Sequence, residues 1–307
     1  MINNSLLEEF KNAWNKPNNA IAQIILINVG LFMTLLILKI TLTLAGSGIF
    51  YNYLLQHLML PADLNSFIIQ PWSIITYFFL HEEIFHIIFN MLVFYWFGKL
   101  IAEYLGSAKV IALYVLGGLS GGVLYLLIYN LIPYYEGQQI AKMLGASAGV
   151  YAIVTAAATF LPNYTFYLLF IGPVKIKYIA LFYVLLSFSQ TIGPNAGGEW
   201  AHLAGAAMGY LYITQLQKGQ DLGGWIMKVI RFFKSFLIQS PTIKVSHRSS
   251  TKKTPQSSVK KNASNSTSTA VLTDQDEIDV ILDKISHGGY ESLTKEEKQK
   301  LFNASKK

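Results

Sequence analysis

The chain alternates between long apolar runs and short polar breaks. Residues 110–135 and 143–174 contain no Lys, Arg, Asp or Glu. Apolar runs of about 18 residues or more are long enough to cross a bilayer core. The pattern predicts six spans, over residues 21–45, 84–100, 110–131, 146–161, 178–192 and 200–216, and hence an all-α polytopic membrane protein. The fourth span is short and stopped by Pro162. The loop before it is therefore predicted to dip into the protein, since irregular backbone at that depth needs protein or a wet cavity around it.

Outside the spans the pattern changes character. Residues 1–20 read as a polar tail. Residues 218–239 include "WIMKVIRFFKSFL", a basic amphipathic stretch predicted to lie on the membrane surface. Residues 240–272 are rich in Ser, Thr and Lys and read as a disordered linker. Over residues 273–307 order returns. Ile278, Ile281, Leu282 and Ile285 have helical spacing, "HGG" interrupts, and Thr294-x-x-Glu297 is a capping box opening a second helix. That hairpin is too small for a large core, and no chemistry is visible in it. It suits the binding of a partner that the sequence does not identify.

Charge sets the orientation. Lys11, Lys16, Lys99, Lys109, Lys175, Lys177 and the basic tail fall on one side of a six-span arrangement. On the other side, residues 46–71 and 193–199 hold no Lys or Arg, and residues 132–145 hold only Lys142. Cationic loops stay inside, so both termini are predicted cytoplasmic. Lys39, within the first span, is expected to snorkel or face a polar groove. The net charge of +7 comes largely from the tail, which favours anionic headgroups. The tail lacks interleaved aromatics, so nucleic acid is not an expected partner. The chain has no cysteine, which excludes disulfides, a thiol nucleophile and thiolate-bound zinc.

"HEEIFHIIFN", residues 81–90, suggests a zinc-binding H-E-x-x-H at first sight. The second histidine, however, is five residues after the first, and the two point roughly 140° apart on a helix. No metal is expected. His86 and Asn90 are four apart and share a face. Taken singly they are ordinary polar contacts between helices, and Ser147 in "GASAGVYA" is an ordinary helix cap. Taken together they converge. His86, Asn90, Ser147 and His202 all fall in the first turns of the second, fourth and sixth spans, which start from the same side. Gly205-x-x-x-Gly209 faces small residues Ala148, Ala152 and Ala156 in this reading, which lets the sixth and fourth helices approach closely. Glu199 is the nearest candidate for a third member beside His202, but it is expected in a loop, and a Ser–His dyad is expected rather than a triad.

Three motifs, "HEEIFHIIFNM", "GASAGVYA" and "AHLAGAAMG", resemble those of the rhomboid family of intramembrane serine proteases, in the same order and on the same helices. The resemblance covers about residues 20–217 and is to the bacterial six-helix type, hence a bacterial inner (cell) membrane. It implies Ser147 as nucleophile and His202 as general base. It implies His86, Asn90 and the Ser147 N–H as oxyanion donors. Gly145 would permit the loop before the serine, Tyr151 would pack on the His202 ring, and His81 would brace the first loop. The implied substrates are transmembrane proteins in the lipid bilayer, cleaved near the outer ends of their helices, with no cofactor. Two positions depart from the family's pattern: Ala148 stands where Gly is frequent, and Trp72-Ser73 where Trp-Arg is frequent. The fifth helix and the following loop, with Gly193, Pro194, Gly197 and Gly198, read as a lateral gate. Two other readings use the same residues: a non-catalytic membrane-client binder, and a small transporter.

Overall fold

A computed structural model describes residues 6–16, 18–138, 140–169, 171–237, 274–288 and 293–304. In chain order the helices are α1 Leu6–Asn15, α2 Ala20–Leu44, α3 Gly48–Leu58, α4 Leu64–Ile69, α5 Ser73–Thr76, α6 Ile84–Leu105, α7 Ser107–Leu131, α8 Ser147–Phe160, α9 Ile176–Ser189, α10 Ala196–Gln217, α11 Gly224–Leu237, α12 Asp274–Gly288 and α13 Lys295–Ala304. Two small antiparallel ladders accompany them. β1 Leu60–Pro61 pairs with β2 Lys142–Met143, and β3 Thr165–Leu168 with β4 Gly172–Lys175. The chain divides into two units, residues 1–241 and 242–307. The expected linker over residues 240–272 lies outside the described residues.

Among the described residues, α2, α6 and α7 are long and apolar enough to cross a membrane. The fold is that of a helical polytopic membrane protein with α8 at its centre. Ala148 through Val154 and Ala156 through Ala158 are all buried, so α8 is covered on every face by α6, α7, α9 and α10. A helix apolar all round belongs in an interior. Its 14 residues rise only about 21 Å at 1.5 Å per residue, short of a hydrocarbon core of roughly 30 Å. The loop before it is packed into the protein, with Met143, Gly145 and Ala146 buried. That loop satisfies its backbone on the long first loop: Met143 pairs with Leu60, Ala62 N donates to Ala141 O at 3.0 Å, and Gly145 N donates to Tyr77 O at 3.0 Å.

Small residues hold α8 against two neighbours. A methyl group built on Gly205 would lie 2.1 Å from Ala148 O, and one on Gly209 would lie 2.1 Å from Ala152 O. From α7, Gly117 and Gly121 approach Ala152 and Ala148 in the same way, at 2.5 and 2.6 Å from the alanine methyls. The close packing of α10 on α8 was legible in the sequence; the second glycine pair on α7 was not singled out.

The first loop is anchored without an arginine after Trp72. Trp72 Nε1 donates to His57 O at 2.8 Å, Thr76 Oγ1 to Leu58 O at 2.6 Å, and Gln70 Nε2 to Met59 O at 3.2 Å. Ser73 is fully buried at the start of α5. Lys39 reaches over the Tyr51 ring, 5.8 Å from its centroid. That is a cation–π contact with the first loop.

Several boundaries differ from expectation. The tail over residues 1–20 contains α1, whose Leu6, Leu7, Phe10 and Trp14 fall at helical spacing. The helix of the second predicted span, α6, continues to Leu105, where Gly106 at φ +87 ends it. The helix of the sixth predicted span, α10, starts at Ala196, not at residue 200. Gly197 and Gly198 are thus helical. Gly197 sits where a methyl group would lie 2.4 Å from Tyr125 Cε2, so it serves close packing rather than loop mobility.

After α10, Asp221 ties the chain back. It accepts from Lys109 Nζ at 2.6 Å, Tyr212 Oη at 3.0 Å and Gly223 N at 3.0 Å. Partial burial raises its pKa, but these three donors outweigh that and hold the carboxyl below its ordinary range. The next helix, α11, buries Ile226 and exposes Trp225, Val229, Phe232 and Phe233 beside Lys228, Arg231 and Lys234. In the second unit, Ile281 and Leu293 are buried and Lys284 bridges Glu297 at 2.9 Å. The capping box is formed: Thr294 N donates to Glu297 Oε2 at 2.7 Å and Glu297 N to Thr294 Oγ1 at 3.3 Å.

Candidate active site

Three helix starts meet at one end of the bundle. Glu83 is extended and α6 begins at Ile84, which sets His86 and Asn90 one turn apart on the face toward α8. Gly145 has φ +131, in the region that favours glycine. A methyl group there would lie 3.1 Å from His86 Cε1, so glycine serves both the backbone and the space. Ser147 is the first residue of α8. The first amides of a helix have no partner within it, so those near Ser147 are free to hold an anion. On α10, Glu199 and His202 lie one turn apart.

The serine and histidine meet. Ser147 Oγ donates to His202 Nε2 at 2.7 Å. The Tyr151 ring stacks on the His202 ring with centroids 4.3 Å apart and planes within 10°. Both lie in a cavity of about 360 Å³ that also has His86, Asn90 and Gly145 in its wall. Such a space holds a short peptide segment or several waters. All the site residues expected on α6, α8 and α10 are therefore brought together. His81 is buried in the loop ahead of α6. Its Nε2 accepts from Asn90 Nδ2 at 3.3 Å, and its ring meets His86 edge-on at 5.0 Å. An amide nitrogen carries two hydrogens, so Asn90 keeps one for the cavity.

The third shell of contacts departs from the sequence reading. Glu199 is not a loop residue. It lies in the first turn of α10, buried, with Oε2 3.2 Å from His202 Nδ1. Ser187, on α9, was assigned nothing in the sequence. Its Oγ lies 3.1 Å from His202 Nδ1 and donates to Tyr151 Oη at 2.9 Å. The one available signal was a hydroxyl inside an apolar span, which is ambiguous because serine is common in such helices. Among the described residues, no group of three or more His, Cys, Asp or Glu is placed to hold a metal ion.

Comparison with known proteins agrees with this frame. Residues 69–218 match the rhomboid domain, and residues 270–307 match a family of unknown function, DUF6576. The chain is similar to RHOMBOID-like protein 12, mitochondrial, of Arabidopsis thaliana, at 29% identity over 198 residues, 58% of this chain and 58% of that protein. It is also similar to Rhomboid protein 1, mitochondrial, of Saccharomyces cerevisiae, at 26% identity over 180 residues, 56% of this chain and 48% of that protein. The aligned segments thus span about half the length of these curated relatives. With the three helix starts and the domain match in agreement, residues 69–218 of the chain are a rhomboid domain.

Proposed function

We propose that the protein is an intramembrane serine endopeptidase that cleaves transmembrane helices of membrane proteins near their outer ends. The observation that carries this reading is the 2.7 Å contact between Ser147 Oγ and His202 Nε2 inside a polar cavity. Ser147 attacks the peptide carbonyl while His202 takes its proton, and His202 then gives that proton to the leaving amine. The Ser147 N–H, His86 and the second Asn90 hydrogen face the developing oxyanion. Water then hydrolyses the acyl-enzyme. A helical peptide bond is shielded by its own hydrogen bonds, so substrates with Gly, Pro or polar residues near the cut unwind more readily.

Lateral access for the substrate has a specific support. A second, apolar cavity of about 380 Å³ lies between α6 and α9, and Val93 and Tyr183 line both cavities. The end of the bundle opposite the catalytic cavity receives Lys99, Lys109, Lys175, Lys177 and Lys218. By the positive-inside rule that end is cytoplasmic, with both termini in the cytoplasm of a bacterium and α11 on the inner membrane surface.

The test is fluorophosphonate labelling of the purified full chain in detergent. Wild type is expected to label, Ser147→Ala to lose the label, and His202→Ala to label far more slowly. Folded wild type that takes no label, beside an active rhomboid that does, would overturn the proposal in favour of a client binder without catalysis.

A further inference from the structure

A histidine that accepts the Ser147 proton at Nε2 must carry its own hydrogen on Nδ1. Two acceptors compete for that hydrogen: Ser187 Oγ at 3.1 Å and Glu199 Oε2 at 3.2 Å. They differ in where they stand. Ser187 is on α9, which lines the apolar cleft with α6, and it spends its own proton on Tyr151. Any outward movement of α9 carries Ser187 away from the imidazole. Glu199 is three residues before His202 on the same helix and moves with it.

The surroundings of Glu199 point the same way. The side chain is buried, with the Asn195 amide 3.5 Å from its other oxygen and the Ser187 hydroxyl as a further neutral neighbour. His202 is its one ion-pair partner among the described residues. Glu199 does not line the cavity, and no Lys, Arg, Asp or Glu does. A buried carboxylate without a cation is costly. This one gains its cation only when His202 is protonated, that is, when Ser147 has given up its proton. An interaction stronger in the transition state than in the ground state accelerates the reaction. The other polar or titratable groups around His202 are Tyr151 from α8, Ser187 and Tyr183 from α9, Asn195 just before α10, and, in the cavity wall, His86 and Asn90 from α6 and Tyr77 from the first loop.

We propose that Glu199 is the positioning residue of the site: it holds His202 in the Nδ1–H tautomer and stabilises the imidazolium, so that Ser147, His202 and Glu199 work as a chain of three. This rests on the reading of Ser147 and His202 as nucleophile and base. A purely structural role also exists for an acid in the first turn of α10, where it faces the positive end of the helix dipole. That role affects folding but not the pH profile of labelling.

The experiment is the rate of fluorophosphonate labelling against pH, for wild type, Glu199→Gln, Glu199→Asp and Ser187→Ala of the full chain, with melting temperatures alongside. Losing one charge-assisted hydrogen bond slows the plateau about 10- to 100-fold in Glu199→Gln. Removing the negative charge beside the imidazole disfavours its charged form, so the midpoint of the rising limb of labelling against pH moves down. Ser187→Ala is expected to keep the wild-type midpoint. Glu199→Asp, which keeps the charge, is expected to keep the midpoint with a lower plateau, and it carries the test if the Gln variant does not fold. Wild-type plateau and midpoint in Glu199→Gln overturn the proposal, as does a midpoint in Glu199→Asp that falls as far as in Gln. Unlabelled wild type overturns the underlying dyad and this inference with it, whereas labelled wild type with an indifferent Glu199→Gln overturns the inference alone.

Discussion

Replacing Gly205 by alanine adds one carbon at the point where α10 crosses α8. That carbon would lie 2.1 Å from Ala148 O and 2.9 Å from Ala148 C, both backbone atoms with no rotamer to escape into. Ordinary contact begins near 3.4 Å, so the helices must part by about 1.3 Å along that line (3.4 less 2.1). Ser147 is the neighbour of Ala148, and His202 is one turn before Gly205. Their 2.7 Å contact would stretch toward 4 Å if the parting passed to it undiminished. That exceeds hydrogen-bond distance. Overpacking of this kind costs roughly 1–3 kcal/mol of stability. A misplacement of about 1 Å at reacting groups costs on the order of 100-fold in rate. Fluorophosphonate labelling rates and melting temperatures of the full chain in detergent measure the two effects separately. Gly30→Ala on α2 is the control, because nothing lies within 4 Å of its added carbon. It should label as wild type does. A Gly205→Ala protein with wild-type labelling and melting temperature would refute the argument that this crossing sets the Ser147–His202 distance.

Other positions give sharper single readouts. Tyr151→Ala removes the ring stacked on His202 and is expected to slow labelling by roughly tenfold, while Tyr151→Phe keeps the stack, loses only the Ser187 contact, and slows it by less than about threefold. Equal effects of the two variants would contradict the stacking role. Asp221→Asn is expected to lower the melting temperature at neutral pH, because the folded-state carboxyl sits below its ordinary range. Its contribution is present above the unfolded carboxylate range near about pH 4 and disappears as pH falls through the depressed folded value. The gap between wild type and Asp221→Asn should therefore close on acidification, and a gap that widens would be inconsistent with the Lys109 contact. Thr294→Ala breaks the capping box of α13, and hydrogen exchange should quicken at the Glu297 amide while residues of α12 keep their protection.

Much of this protein is written in local pattern. Apolar length marked the spans, because a membrane helix needs a stated number of apolar residues wherever its neighbours are. Pro162 and the small residues at 145–158 announced a short, close-packed fourth helix. Gly205 and Gly209 were legible because their spacing puts both on one face of a helix, and Ser147 and His202 because both fall in the first turns of spans that start from the same side; Gly145 was read from the family resemblance. The tertiary structure decided what depends on which faces meet. Whether Glu199 lies in a loop or a helix turns on where α10 starts, and the Tyr125 ring packed on Gly197 belongs to a residue far away in the chain. Ser187 reaches His202 only because α9 is docked on α8 and α10. The ladder between Leu60–Pro61 and Lys142–Met143 joins segments about eighty residues apart, and four residues carry too little pattern to announce it. Helix period and apolar length are properties of neighbouring residues, and so they appear in the sequence. The partner of a buried polar group is a property of the packed bundle, and it exists only once the helices have met.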